Sequence, residues 1–462
     1  MKPLTISAIA RAMNAALLCG DGTRTVQALC SDSRSMLPGA LFVPYRGERF
    51  DGHDYIDAAL DAGACGTLCE RAPDTLREGK AYLLVDDTRL AMKRLAAWYR
   101  AQFSLPVVQI TGSTGKTTAK EMVWSVLSQR FPTLKTAESF NGDIGTPQTL
   151  LGLDDTHRAA VIESGMDHPG DIRYLGEMVR PDIACIVNVG VAHIEFLGSR
   201  ENILKAKCEI FENLAPDGVA ILNGDDDMLA SVAALPQRIV RFGRGEGCGV
   251  RVTDWSADGL AGTRCTVTTA RGTYRLQTAA PGEHMIYPMA LAVAVGEELG
   301  LSAEEITRGV AAYAPVGGRM NVKRLPGGRV LLDDCYNANP QSMSAALHVL
   351  SSAEGTRRIA VLGNMGELGD FAPQAHRDMG HLAGTLGIDT VFAIGPHAAA
   401  MAQEARAAGC GDVHDYLTKE EAYGAIDEAF IPGAVLLLKA SHYTGRFEQI
   451  AAYLQQRLNE KA

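Results

Sequence analysis

The chain has 462 residues, 47% apolar and 21% charged, which excludes a disordered or fibrous protein and suggests about three domains at roughly 150 residues each. Its net charge of −10 argues against a nucleic-acid groove, so any anion must be met by local positive groups. The ten cysteines are scattered among apolar neighbours, as in Ala184-Cys185-Ile186, and read as buried free thiols of a reducing compartment. The close pair Cys65 and Cys69 falls in a strand-like run and reads as core rather than half of a zinc site.

In chain order, Ile6, Ile9, Met13 and Leu17 repeat at helical spacing, while Arg11 and Asn14 interrupt any signal-peptide core. No apolar run approaches the ~18 residues of a membrane span, so a cytoplasmic protein without membrane insertion is expected. Turn-rich segments and short strands such as Ala81–Val85 follow. From Pro106 strands and helices alternate: Val107–Ile110 is strand-like, Lys116–Gln129 helical, and Ala159–Ile162 and Ile183–Val189 are short apolar runs of the parallel-sheet kind. Residues 248–278 alternate Thr, Arg and Gly with apolar residues, which predicts antiparallel ribbons, and Met285–Leu299 reads as a helix. After a Pro-Val-Gly-Gly hinge at 315–318, the strands Val330–Asp333, Arg358–Leu362, Thr390–Ile394 and Val435–Leu438 alternate with helices. The expectation is an α/β protein of three domains. These are a small mixed α/β unit over 1–84, a central parallel-sheet domain of the P-loop ATPase kind with an antiparallel extension over 85–315, and a Rossmann-like domain over 316–462.

The strongest chemical signal is Thr111-Gly112-Ser113-Thr114-Gly115-Lys116-Thr117-Thr118, set between a strand and a helix. Glycines let backbone N–H groups approach phosphate oxygens, the helix start adds positive potential, and Lys116 neutralises the outer phosphates. The hydroxyl of Thr117 is placed to ligate Mg²⁺. Ile110 stands where the usual phosphate loop has its first glycine, which points away from ordinary kinases and GTPases. Glu163 ends a strand, where ligands gather in open α/β sheets, and a carboxylate there suits Mg²⁺.

Other residues are ambiguous by pattern alone. His193 follows a strand and reads as structural as readily as a ligand. On the helix from about Arg200 to Leu214, Lys207 shares a side with Ile203, Ile210, Phe211 and Leu214, whereas Lys205 faces out and can pair with Glu209. An inward amine needs a partner or a modification, although spacing alone favours a snorkelling side chain. Asp334, Asn337 and Asn339 suit a ribose or a polar ligand, and equally a turn. Arg319 sits at the hinge, where closure can swing it onto a phosphate.

These blocks in order resemble the Mur ligase family over essentially the whole chain. Ser31-Asp32-Ser33-Arg34, Pro38-Gly39 and Asp51-Gly52-His53 resemble its uridine-nucleotide domain, and Thr111–Thr118 is similar to its ATP loop. The run from Phe140 to Pro147 and Glu163-Ser164-Gly165-Met166 resemble stretches of the dipeptide-adding branch. Ala192-His193, Ala206-Lys207, Gly318-Arg319, Asp333–Pro340 and Lys439-Ala440-Ser441 complete the series.

The resemblance implies an ATP-dependent amide ligase of peptidoglycan precursor synthesis, acting as a monomer on UDP-N-acetylmuramoyl-tripeptide and D-alanyl-D-alanine through an acyl phosphate. It implies phosphate contacts from Gly112 through Thr118, one Mg²⁺ on Thr117 and Glu163, and a second held by His193 and by Lys207 as a carbamate. Arg319 is implied at the γ-phosphate, Asp334 and Asn337 at the nucleotide, and Ser33, Arg34, Asn141, Thr146 and Asn339 at the other substrates. The chain departs from the pattern at Met285 and Pro288, where many relatives carry an Asn-x-x-Asn pair. It departs again at Asn364 and His442, where Asp and Arg are expected. The branch that adds a single amino acid is disfavoured because the last domain has no Asp-Asn-Pro-Arg-type motif. A non-ligating ATP-dependent regulator has no need of Glu163, His193 and Lys207 together.

Overall fold

The computed structural model describes residues 1–441 and 445–460; His442 lies outside the described residues. Three main sheets follow one another along the chain. The first is five-stranded, in the spatial order Ala16–Cys19, Ala81–Leu84, Gly66–Cys69, Leu41–Phe42, Leu29–Cys30, parallel except for its first pair. The helix Ile6–Met13, capped by the Thr5 side chain, buries Ile6, Ile9, Ala10 and Met13. That is the face its apolar spacing dictates.

The second sheet has nine strands. Thr133–Lys135, Ala159–Glu163, Val107–Thr111, Ile183–Ile186, Val219–Asn223, Arg238–Gly243 and Val250–Ala257 lie side by side and parallel. Thr263–Thr269 and Gly272–Thr278 extend it antiparallel, as the alternation over 248–278 predicts. Both faces of the parallel part are covered, so Val107–Thr111 and Ala159–Glu163 are buried at every residue. The helix Ile286–Glu298 is apolar on all sides and correspondingly buried over most of its length.

The third sheet has six strands in the order Asn321–Leu325, Arg329–Asp333, Val435–Lys439, Arg358–Leu362, Thr390–Ile394, Asp412–Tyr416, with only the first pair antiparallel. Gly317 and Gly318, in the hinge before it, both take left-handed backbone. All ten cysteines are free, and Cys65 and Cys69 are core residues. No helix among the described residues is long and apolar enough to cross a membrane.

Two local expectations are corrected. The run Ile183–Val189 is strand only to Ile186, because the chain then turns to carry Asn188 under the phosphate loop. The helix from Arg200 ends at Cys208 and passes into a tight turn, Glu209–Phe211. Glu209 is buried and does not pair with Lys205; its carboxylate accepts from the N–H groups of Gly170 at 2.8 Å and Arg173 at 3.2 Å. Those N–H groups open the helix Asp171–Val179 and have no acceptor within it, and the helix dipole favours an anion there.

Candidate functional site

A cavity of about 1460 Å³ opens along the carboxyl ends of the central strands and is walled on its far side by the third sheet's loops. Ser113 through Thr118 form its floor. A Cβ at Gly112 would meet Val187 Cγ2 at 2.2 Å, and Gly115 caps the helix Lys116–Leu127 with left-handed backbone at φ 79°, so neither position accepts a larger residue easily. Asn188 clamps the first half of the loop. Its Oδ1 accepts from the N–H groups of Ser113 (3.0 Å) and Thr114 (2.9 Å), and its Nδ2 donates to the Thr114 carbonyl (2.9 Å).

The second half of the loop is left open. The helix start has no side-chain cap, and among the described residues the N–H groups of Gly115, Lys116 and Thr117 meet no backbone acceptor. Free N–H groups at a helix start form an anion site. Lys116 lies across it, with Nζ donating to the Gly112 carbonyl at 2.8 Å. Burial pushes the Lys116 ammonium below its ordinary pKa, opposed by the nearby Glu163 carboxylate.

Glu163 is buried behind the loop. It accepts from Thr117 Oγ1 at 2.8 Å and from Asn141 Nδ2 at 2.7 Å. The third sheet reaches the same cavity. Arg319 Nη2 donates to Ser139 Oγ at 2.9 Å, with its guanidinium 4.1 Å from the Tyr336 ring centre. Asn339 caps the helix Pro340–Ser351 through Oδ1 and donates from Nδ2 to Thr114 Oγ1 at 2.8 Å. Asp334 accepts from Met320 N–H and pairs with the buried Lys439 at 2.6 Å; the same ammonium donates to the Asn337 carbonyl. Asp334 and Asn337 both line the cavity.

His193 has left-handed backbone and turns Nδ1 toward Glu367 Oε2 at 2.8 Å and Asp167 Oδ1 at 3.2 Å. Donor atoms of these three residues lie within 4.8 Å of one another, a spacing that suits a cation. The contact with His193 holds the Glu367 carboxyl below its usual range. Lys207 is buried, and among the described residues its side-chain amine has no hydrogen bond or ion pair. Desolvation, with Lys116 as a second cause, pushes its amine well below the ordinary lysine pKa.

The structure therefore gathers Ser113–Thr118, Asn141, Glu163, His193, Arg319, Asp334, Asn337 and Asn339 around one cavity, with Gly112 just beneath its lining. Ser33, Arg34, Thr146 and Lys207 do not line it. Ser33 and Arg34 lie in the turn Ser33–Ser35 of the first sheet, where the exposed Arg34 guanidinium is held by Asp32 at 2.8 and 2.9 Å. Thr146 lies in the helix Gly145–Leu151 and is fully buried. Sequence reasoning missed Asn188, Asp167 and Glu367; the strand-end position of Asn188 was the available signal, as it was for Glu163.

The same fold recurs in known proteins. The family model described as Mur ligase middle domain matches residues 110–296. The Mur ligase glutamate ligase domain matches 318–442, and the Mur ligase family catalytic domain matches 25–100. The UDP-N-acetylmuramoyl-tripeptide–D-alanyl-D-alanine ligase of Escherichia coli strain K12 is 38% identical over 418 residues, 89% of this chain and 90% of its own. The chain belongs to the Mur ligase family. The Bacillus subtilis ligase of the same name is 34% identical over 90% of each chain. Among solved Mur ligases, a MurF from Acinetobacter baumannii superposes with a TM-score of 0.91 at 34% identity, over 99% of both chains. A Thermotoga maritima MurF in complex with ADP gives 0.82 at 28% identity, over 94% of this chain and 98% of that one.

Proposed function

We propose that this Mur ligase joins D-alanyl-D-alanine to UDP-N-acetylmuramoyl-tripeptide with ATP, in cytoplasmic peptidoglycan precursor synthesis. The observation that carries the site reading is the uncapped helix start at Gly115–Thr117. It faces Lys116 and Glu163 on one side and Arg319 and Asn339, brought by another sheet, on the other. The first 84 residues take the uridine nucleotide, residues 85–315 hold ATP, and residues 316–462 close over it and receive the dipeptide.

The free N–H groups and Lys116 receive the β- and γ-phosphates, and Arg319 leaves Ser139 for the γ-phosphate. The terminal carboxylate of the tripeptide attacks the γ-phosphorus, the bond to the bridging oxygen breaks, and ADP leaves an acyl phosphate. The amine of D-alanyl-D-alanine then attacks the acyl carbon, loses a proton, and expels inorganic phosphate as the amide forms. The protein's own contribution is positioning and charge neutralisation.

Two donor sets would hold Mg²⁺: the oxygens of Thr117 and Glu163, and the carboxylates of Asp167 and Glu367 together with His193. When bound there, Mg²⁺ supplies positive charge to the phosphate oxygens. As a carbamate, formed when its amine adds carbon dioxide and releases a proton, Lys207 would bring an anionic ligand to the second set from outside the present cavity lining. Its lowered pKa supports this, since only the neutral amine reacts.

The test is phosphate release from ATP, which is expected to require both the UDP-linked tripeptide and D-alanyl-D-alanine. Equal release without the dipeptide, or with a single amino acid in its place, overturns the assignment.

A further inference from the structure

Lys120 lies one helical turn beyond Lys116 and is fully buried. Its ammonium donates to the backbone carbonyls of Thr136 and Glu138, both at 2.8 Å, and sits 3.0 Å from Glu121 Oε1 and 3.9 Å from Glu163 Oε2. Lys135 takes the other oxygen of Glu121, so two cations and two carboxylates balance inside the domain. A buried ammonium is costly to keep even when paired, and an apolar residue of similar length would fill this helix position at lower cost. What an apolar residue cannot do is hold the two carbonyls.

Those carbonyls anchor the segment that runs from the strand Thr133–Lys135 to Asn141. Glu138 is fixed there in left-handed backbone at φ 45°, which a non-glycine residue adopts only when its surroundings impose it. Just beyond it, Ser139 receives Arg319, and Asn141 donates to Glu163 and accepts from the Gly165 N–H through its carbonyl. Ser139, Asn141, Gly142 and Asp143 line the cavity, and Asp143 pairs with Arg89 from the helix Thr88–Arg100. This wall meets the helix Thr88–Arg100 through Asp143, whereas Asn188 holds the phosphate loop independently.

We propose that Lys120 is a positioning residue for the carboxylate substrate: it sets residues 136–141 so that Ser139 and Asn141 meet the end of the UDP-linked peptide. The inference rests on the ligase reading above and adds a residue that does not touch the reacting atoms.

The experiment compares the full-length wild type with Lys120→Met, Lys120→Gln (which keeps a donor for one carbonyl) and Val126→Ala, a buried core change on the same helix. In Lys120→Met, KM for the UDP-linked tripeptide is expected to rise about tenfold or more, while KM for ATP stays within about threefold. Lys120→Gln should fall between the wild type and Lys120→Met. Amide exchange should quicken over residues 137–143 and not over 112–118. Val126→Ala should lose thermal stability without separating the two KM values. Unchanged KM values, an equal rise in both, the same separation in Val126→Ala, or failure of both Lys120 variants to fold overturns the proposal. A wild type that releases no phosphate with both substrates sinks the ligase reading as well, so the two failures are distinguishable.

Discussion

Asn188→Ala removes the clamp under the phosphate loop while leaving every proposed phosphate-binding group in place. Three hydrogen bonds are lost: two accepted from Ser113 and Thr114 N–H groups and one donated to the Thr114 carbonyl. At about 0.5–1.5 kcal/mol each they total roughly 1.5–4.5 kcal/mol. Asn188 is only half-buried, so water replaces part of what is lost, leaving about 2 kcal/mol, or roughly thirtyfold. The loss falls on the ordering of the loop before ATP binds. KM for ATP should therefore rise by about that factor, with kcat and KM for the UDP-linked peptide changing little. The assay is coupled phosphate release with ATP titrated at saturating concentrations of the other substrates. A KM for ATP within about threefold of wild type, in a protein of unchanged thermal stability, would refute the claim that Asn188 organises the loop.

Lys207→Ala should abolish ligation, and short-chain carboxylic acids should restore part of it by supplying the missing anion. No restoration in a folded variant argues against a carbamate. His376 gives a pH-dependent prediction: it is buried, accepts from Met365 N–H at Nε2, and is pushed down to about 4 by desolvation. As pH falls below the ordinary 6.5 the unfolded chain takes up this proton first. The associated stability is thus complete above 6.5 and is lost toward 4, about 3 kcal/mol in all. His376→Gln should show a smaller drop in urea midpoint between pH 7 and pH 5 than wild type, and equal drops would contradict the assignment.

What could be read from the sequence was what chemistry writes locally. The phosphate loop is one contiguous motif between a strand and a helix, Glu163 sits at a strand's carboxyl end, and the inward face of Lys207 follows from helical periodicity. Residues whose roles arise only on folding were not legible. Asp167 and Glu367 meet His193 from separate segments, with Glu367 crossing from the third sheet. Lys120 has the spacing of an ordinary helix lysine, and its burial depends on a loop that folds back over it. Lys205 and Glu209 have the spacing of a surface pair, but the open helix start at Gly170–Arg173 competes for the carboxylate.

Asn339 serves two ends with one amide. Its Oδ1 caps the helix Pro340–Ser351, and its Nδ2 reaches Thr114 of the phosphate loop, 225 residues away in sequence. Asp would cap the helix equally well but would set a negative charge at the lip of an anion site; Ser would cap it and fall short of Thr114. Selection for a stable last domain and selection for phosphoryl chemistry therefore act on the same side chain. Evolution can improve one here only by leaving the other intact, which leaves little freedom at that position.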